Sequence, residues 1–475
     1  MILVTALTCL SFACNRVEPP NVVFILVDDL GWTDLGCYGS TFYDTPHLDK
    51  LASQSIRFTD AYAASPVCSP TRAAIMTGKH PARVGITDWI PGMNAANARD
   101  PLLETPEDLH NMPLEEVTIA ELFKEHGYST FFAGKWHLGE TEEFWPLAQG
   151  FDENKGGNYR GSPTFPGGHG YYSPYANPCM ADGPEGEYLT DRLTDESIRY
   201  IESRGETPFF LYLAYYTVHT PIQGCAEYDD EYEERSLALP DSGAMAIQPE
   251  HEGITRINQS NYKYAAMVRS LDTNVGRIMD KLKETGHFEN TIIVFTSDNG
   301  GLSTTRNGGP TAVVPLRAGK GWCYEGGIRV PLLVRYPGIT NPGAVCHQPA
   351  ISMDCFPTLL DLSGIGVRNE LHRDGRSLVP FLENPEKTGD RMLVWHYPHY
   401  HGSTWRPGSA IRSNQWKLVE FYEDQHFELY DLSNDQSEQM DLSGRHPQLA
   451  DSLRNQMHQR LQDMGADYPN QIIER

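Results

Sequence analysis

The run Asn21–Val27, NVVFILV, limits the architecture of this chain more than any other stretch. Six apolar residues follow Asn21 with no polar alternation, the pattern of a strand buried on both faces. It stops abruptly at Asp28-Asp29. A second such run, Phe209–Ala214, and a third at 291–296, ending in Ser297-Asp298-Asn299-Gly300, repeat the pattern, and 330–335 reads as a further strand. Helical stretches separate them. One opens at Thr45-Pro46 and runs to Ser53, with Thr45 as cap and Pro46 in the first turn; another opens at Ser69-Pro70 and runs to Met76. Residues 116–126 form an amphipathic helix stopped by Gly127, followed by a strand at 129–133; residues 187–204 and 258–285 also have helical spacing. Strands alternating with helices predict an α/β fold, a mostly parallel sheet covered on both faces.

The texture changes after about Thr388. Short strand-like runs at 392–396, 409–412, 416–422 and 427–431 are joined by turns, and a helix closes the chain over 447–463. They predict a small C-terminal antiparallel sheet with one helix. The expected organisation is an export segment over 1–20, a large domain over 21–388 and a small α+β unit over 389–475. In the export segment, residues 2–13 are apolar but too few to span a bilayer. Ala13-Cys14-Asn15 resembles the end of a bacterial lipoprotein signal, with Cys14 as the lipidated residue. The expected location is the bacterial periplasm, the outer membrane as a lipoprotein, or the exterior. Nine cysteines in 475 residues, two of them in that segment, make no dense disulfide framework. A net charge of −25 argues against nucleic acid, whose phosphates demand a basic excess. It does not exclude a small anionic substrate, which needs only local Arg and Lys.

Two features carry chemistry. Ligands gather at the carboxyl ends of strands in open α/β sheets, where Asp28-Asp29 and Asp298-Asn299 stand. Three carboxylates and an amide oxygen suit a hard cation such as Ca²⁺ or Mg²⁺ better than Zn²⁺. The second feature is Cys68-Ser69-Pro70-Thr71-Arg72. With Ser69 capping and Pro70 in the first turn, Cys68 sits at the positive end of a helix dipole, the setting of a low-pKa thiol, and Arg72 follows one turn on.

Cys68 to Arg72, continued as Ala73-Ala74-Ile75-Met76-Thr77-Gly78, resembles the signature of the formylglycine-dependent sulfatases. VDDLGWTDLGCYG from Val27, GKWHLG from Gly134, VHTP from Val218, SDNGG from Ser297 and GKGWCYEGGIRVP from Gly319 resemble further blocks of that family, in family order. The resemblance implies an alkaline-phosphatase-like fold: a large, mostly parallel mixed sheet sandwiched by helices, with the small C-terminal sheet beside it. It implies hydrolysis of sulfate esters, with Cys68 oxidised to an aldehyde by a maturation enzyme. One hydroxyl of the hydrated aldehyde attacks sulfur and the other then expels sulfate. It implies one Ca²⁺ held by Asp28, Asp29, Asp298, Asn299 and modified Cys68. Arg72 and Lys135 would hold the nucleophile, His137 would take the proton that triggers elimination, and His219 and Lys320 would bind sulfate, one of them protonating the leaving oxygen. A further sulfate-proximal residue is expected near Asn158 or Ser162, with the choice open.

Specificity is expected from loops at the mouth, with Asp88, Trp89, His169, Arg306, Arg317, His399 and His401 as candidates. The texture resembles bacterial sulfatases of galactose or N-acetylgalactosamine sulfates in glycans, and the expected action is exo. No membrane-embedded hairpin is evident, so no transmembrane span is expected. Three alternatives remain at this stage. A phosphatase or phosphodiesterase of the same superfamily would usually carry Ser or Thr at position 68 and ligands for two zinc ions. A cysteine hydrolase would use unmodified Cys68 with His137. A non-catalytic glycan-binding relative would lack part of the polar set.

Overall fold

The computed structural model describes residues 18–92, 101–339 and 341–472. The proposed export segment and Cys14 therefore lie outside the described residues, apart from its last three positions. An eight-stranded sheet forms the centre. In chain order its strands are β1 (Asn21–Val27), β2 (Ile56–Phe58), β3 (Ser129–Gly134), β4 (Glu153–Lys155), β5 (Phe209–Ala214), β6 (Thr291–Ser297), β7 (Leu332–Arg335) and β8 (Val345–Cys346). They lie in the order β8-β2-β7-β6-β1-β5-β3-β4. Strands β6, β1, β5, β3 and β4 are mutually parallel, while β7 pairs antiparallel with both β6 and β2. The sheet is mostly parallel and mixed, as expected.

Unbroken apolarity in β1 follows from its central place. Val23, Ile25 and Val27 point into one core with helices α1 (Pro46–Ser53), α3 (Leu189–Glu202) and α4 (Tyr262–Glu284). Val22, Phe24 and Leu26 point into the other, with α2 (Cys68–Thr77) and α5 (Cys355–Leu362). Period-two side-chain alternation serves two dry faces at once.

Several boundaries move inward for local reasons. The helix expected at 258–285 begins at Tyr262, because the Asn261 side chain caps the Tyr264 amide at 3.3 Å. The one expected at 116–126 spans Ile119–Glu125 behind a capping box of Thr118 and Glu121. Ser69 corrects the sequence reading: it does not cap α2. Val67 is the cap residue, Cys68 is the first helical residue, and the Ser69 hydroxyl donates to the His137 carbonyl at 2.8 Å.

A four-stranded antiparallel sheet follows: β9 (Met392–Tyr397), β10 (Gly408–Ser413), β11 (Trp416–Phe421) and β12 (Phe427–Asp431). Helix α6 (Pro447–Asp463) covers one face through Leu453, Met457 and Leu461. Trp395, Trp405 and Phe421 on the other face pack on Trp322, Tyr324 and Val67 of the larger part. A buried ionic knot adjoins this contact, where Lys417 lies 3.0 Å from Glu325 and 2.8 Å from Glu438. No helix among the described residues is long and apolar enough to cross a membrane.

Candidate active site

Three strand ends and the start of α2 meet at one edge of the large sheet. Asp28 and Asp29 follow β1, Asp298 and Asn299 follow β6, and Lys135 and His137 follow β3. Gly134 at the end of β3 has φ 104°, and a Cβ there would lie 1.8 Å from the Ala214 carbonyl oxygen. Only glycine lets that strand turn so close to β5. Asp29 (φ 62°) and His137 (φ 59°) are themselves left-handed, a conformation costly for non-glycine residues and concentrated at functional sites.

All six residues expected to act in catalysis converge. The Cys68 sulfur lies 3.3 Å from Nδ1 of His137. Nε2 of His137 meets the Ile90 carbonyl, which can only accept, so the proton sits on Nε2 and Nδ1 offers its lone pair to Cys68. Arg72 forks onto Asp298 at 2.7 and 2.9 Å and donates to the Lys135 carbonyl at 2.7 Å. Lys135 meets Asp28 at 2.7 Å, and Lys320 meets Asp29 at 2.6 Å. Nε2 of His219 is 3.8 Å from Asp29, and its Nδ1 meets the Thr220 carbonyl at 2.7 Å.

Burial sets the protonation states. It pushes the Cys68 thiol above its usual range despite Lys135 and Lys320 nearby. The low-pKa thiol expected from the helix dipole is thereby corrected: a dry site outweighs a dipole of partial charge. Burial and Lys135 hold His137 neutral, and burial and Lys320 bring His219 down to about 3. Burial works against Asp29 and Asp298, but Lys320 prevails at Asp29 and Arg72 at Asp298, leaving both ionised. Asp28 is raised by burial even beside Lys135.

Two buried oxygens here, Oδ1 of Asp28 and Oδ1 of Asn299, have no hydrogen-bond partner. Asp28, Asp29 and His219 each place a ligand atom within 4.8 Å of the others. Orphaned buried acceptors are costly unless something binds them, and a carboxylate-rich oxygen set suits a hard cation. The residues present fit a metal ion.

A cavity of about 940 Å³ opens over Cys68, Asp29, His137, His219 and Lys320. Of the residues expected to read the substrate, Trp89 and His401 line it. Asp88, His169, Arg306, Arg317 and His399 are not among its wall residues, and what several of them do is visible. Asp88 is buried and accepts from the Tyr397 hydroxyl at 2.8 Å, and His399 is bonded to the Thr87 hydroxyl at 2.8 Å. Arg317 is bonded to Glu250 at 2.8 Å and to the Tyr430 hydroxyl at 2.9 Å, over the Tyr324 ring. His169 is exposed. Of Asn158 and Ser162, between which the sequence leaves the choice open, Ser162 lines the cavity and Asn158 does not. Asn158 is buried and holds its own loop, donating to the Gly156 carbonyl and accepting from the Arg160 amide. Glu140, Tyr159, Arg160, Thr164, Leu302 and Ser403 also line the cavity and were not singled out from sequence. Scattered loop residues leave no periodic signal; the glycines around Tyr159 and Arg160 were the only hint.

Comparison with known proteins agrees with this geometry. The sulfatase family model matches residues 20–365, and the model of the N-sulphoglucosamine sulphohydrolase C-terminal region matches 318–467. A sulfatase of Formosa agariphila is 31% identical over 90% of this chain and 85% of its own length. The N-acetylgalactosamine-6-sulfatase of Canis lupus familiaris is 32% identical over 82% of this chain and 70% of its own. The solved structure of Ps i-CgsB with k-i-k-neocarrahexaose superposes with a TM-score of 0.72 at 31% identity, covering 95% of each chain. A matched model spanning most of the chain, and relatives of this identity and coverage, establish that the chain belongs to the sulfatase family and is a sulfuric ester hydrolase.

Proposed function

We propose that this enzyme removes sulfate from a sulfated glycan, acting on galactose or N-acetylgalactosamine sulfate units, with Cys68 matured to formylglycine and Ca²⁺ as its ion. The observation that carries the reading is the pairing of Cys68 with its lone-pair partner His137 on the cavity wall, at the same sheet edge as the unpartnered oxygens of Asp28 and Asn299. The glycan part draws on the relatives: one is named for N-acetylgalactosamine 6-sulfate, and one holds a carrageenan-type hexaose.

Asp28, Asp29, Asp298 and Asn299 would hold the ion, which with the hydrated aldehyde supplies an acidified oxygen nucleophile and a Lewis acid for the sulfate oxygens. The chain's own residues do the rest. Arg72 and Lys135 hold Asp298 and Asp28 in place through 2.7 Å contacts. Arg72, Lys135 and Lys320 face Asp298, Asp28 and Asp29 in turn, so a bound divalent ion would leave the site positive, as a sulfate ester requires. His137 accepts a proton at Nδ1 from the group at position 68. Lys320, its protons kept on by Asp29, faces the anion. His219, its Nδ1–H donating to the Thr220 carbonyl, presents the Nε2 lone pair beside it as an acceptor, which leaves Lys320 as the group of the two that carries a proton for the leaving oxygen. Preorganised groups of this kind typically contribute about 10²–10³ in rate each.

Peptide mass spectrometry of the exported protein, paired with sulfate release from galactose 6-sulfate and N-acetylgalactosamine 6-sulfate with and without Ca²⁺, tests the reading. An aldehyde at position 68 and Ca²⁺-dependent release, both lost in Cys68→Ala, is the expected result. An unmodified thiol in protein that releases sulfate would refute the formylglycine chemistry.

A further inference from the structure

The cavity holds one positive charge that the reaction at its floor does not use. Arg160 lines the wall beside Tyr159 and Ser162. Arg72, Lys135 and Lys320 each face a carboxylate at 2.6–2.7 Å. Arg160 makes no ion pair with any described residue; its guanidinium is instead held by aromatic groups. Nε donates to the Tyr159 hydroxyl at 3.2 Å, and the carbon of the guanidinium sits 5.2 Å from the Tyr159 ring and 5.8 Å from that of Phe165. Aromatic faces orient an arginine without neutralising it, and they leave its remaining N–H donors free for a planar or tetrahedral oxyanion.

Its backbone is equally fixed. The Arg160 amide donates to the Asn158 side chain at 2.9 Å, and Asn158 is fully buried. The next residue, Gly161, packs so tightly that a Cβ there would lie 2.4 Å from the His137 ring. The arginine is thus one residue from a group that touches the imidazole beside Cys68. It lines the same cavity as Cys68, His137 and Lys320, in a chain whose net charge is −25. An uncompensated, oriented cation in such a place has a ligand to meet.

We propose that Arg160, backed by Tyr159, is a subsite for a second anionic group of the substrate, carried by the sugar next to the one whose ester is cleaved. The group is a sulfate or a carboxylate. The half-exposed Tyr159 ring offers that sugar a stacking face, and the guanidinium reads its charge. This inference rests on the glycan reading above, and it narrows the substrate class to glycans charged on neighbouring sugars.

Two matched pairs of probes separate the sources of the anion. Iota-carrageenan tetrasaccharide differs from the kappa form by a sulfate on the adjacent sugar. Chondroitin 6-sulfate disaccharide differs from its uronate methyl ester by a carboxylate. The readout is the ratio of kcat/KM within each pair for wild type, Arg160→Ala and Arg160→Lys, or the ratio of Kd by calorimetry where a probe is bound but not cleaved. Wild type should prefer the doubly anionic member of at least one pair. Arg160→Ala should lower that ratio about 10- to 100-fold, mainly through KM, and Arg160→Lys should restore part of it. The pair that responds identifies the anion as sulfate or carboxylate. No preference in wild type, or a preference that survives in Arg160→Ala, would overturn the inference. Hydrolysis of 4-nitrocatechol sulfate reports the sulfatase chemistry separately, so loss of the subsite and loss of the reaction cannot be confused.

Discussion

Adding one methyl group to Gly161 should disable the enzyme without unfolding it. An alanine Cβ at this position would stand 2.4 Å from Cε1, 2.6 Å from Nε2 and 2.9 Å from Nδ1 of His137. Gly161 is not among the residues with positive φ, so the backbone tolerates alanine and the conflict is purely one of space. Restoring ordinary contact near 3.4 Å requires the ring and loop to part by about 1 Å. The ring cannot retreat freely, because Nδ1 faces the Cys68 sulfur at 3.3 Å and Nε2 donates to the Ile90 carbonyl. A 1 Å misplacement of a reacting group costs on the order of 10²-fold in rate, whereas overpacking by one methyl costs about 1–3 kcal/mol of stability. Gly161→Ala should therefore lose about 10²-fold in kcat for sulfate release, with little change in KM and an intact circular dichroism spectrum. Gly444→Ala serves as the control, since a Cβ there meets nothing within 4 Å. Gly161→Ala retaining kcat within about threefold of wild type would refute the argument that this loop sets the position of His137.

Removal of metal by EDTA should abolish sulfate release and lower stability. Ca²⁺ at a hundred times its Kd should restore about 2.7 kcal/mol by mass action, and Asn299→Ala, which deletes an orphaned oxygen, should shrink that gain in thermal unfolding. Asp374 should make stability depend on acid. Although burial opposes it, the Arg83 fork at 2.8 and 2.9 Å and the His80 amide hold its carboxyl below the ordinary value. A depressed carboxylate contributes stability above its unfolded pKa of about 4 and loses it as pH falls below. Urea unfolding between pH 3 and 6 should show a flatter acid limb in Asp374→Asn, with wild type the more stable by about 1–2 kcal/mol at pH 6. Lys417→Met should cost about 3–5 kcal/mol in urea unfolding, because it strands Glu438 in a dry site and leaves Glu325 only Arg329 as a cationic partner among the described residues; a loss under 1 kcal/mol would contradict that account.

Much of this protein was legible in its residues alone, wherever the causes are local or the pattern repeats. The apolar run of β1 required a strand buried on both faces, and Asp28-Asp29 at its end marked the sheet edge where the polar groups gather. The spacing also showed two helices that begin a few residues later than it indicated, where Asn261 and Thr118 cap them. The motif around Cys68 and the blocks from Gly134 and Gly319 pointed to residues that share one cavity, and the block from Ser297 to the same sheet edge.

Other decisions belonged to the tertiary structure. The Cys68 thiol is raised, not lowered, because desolvation depends on everything packed around it, whereas a helix dipole can be read from a few neighbouring residues. Asp88, Arg317 and His399 have the chemistry of substrate readers, yet partners brought from distant parts of the chain, Tyr397, Glu250 and Thr87, occupy them. Ser162 and Arg160 reach the cavity while Asn158, in the same loop, turns inward to hold it. A residue's type and its local backbone follow from sequence because they depend on near neighbours. Whether a polar side chain is spent on the fold or left free for a ligand depends on which distant groups arrive beside it, and only the folded chain supplies those.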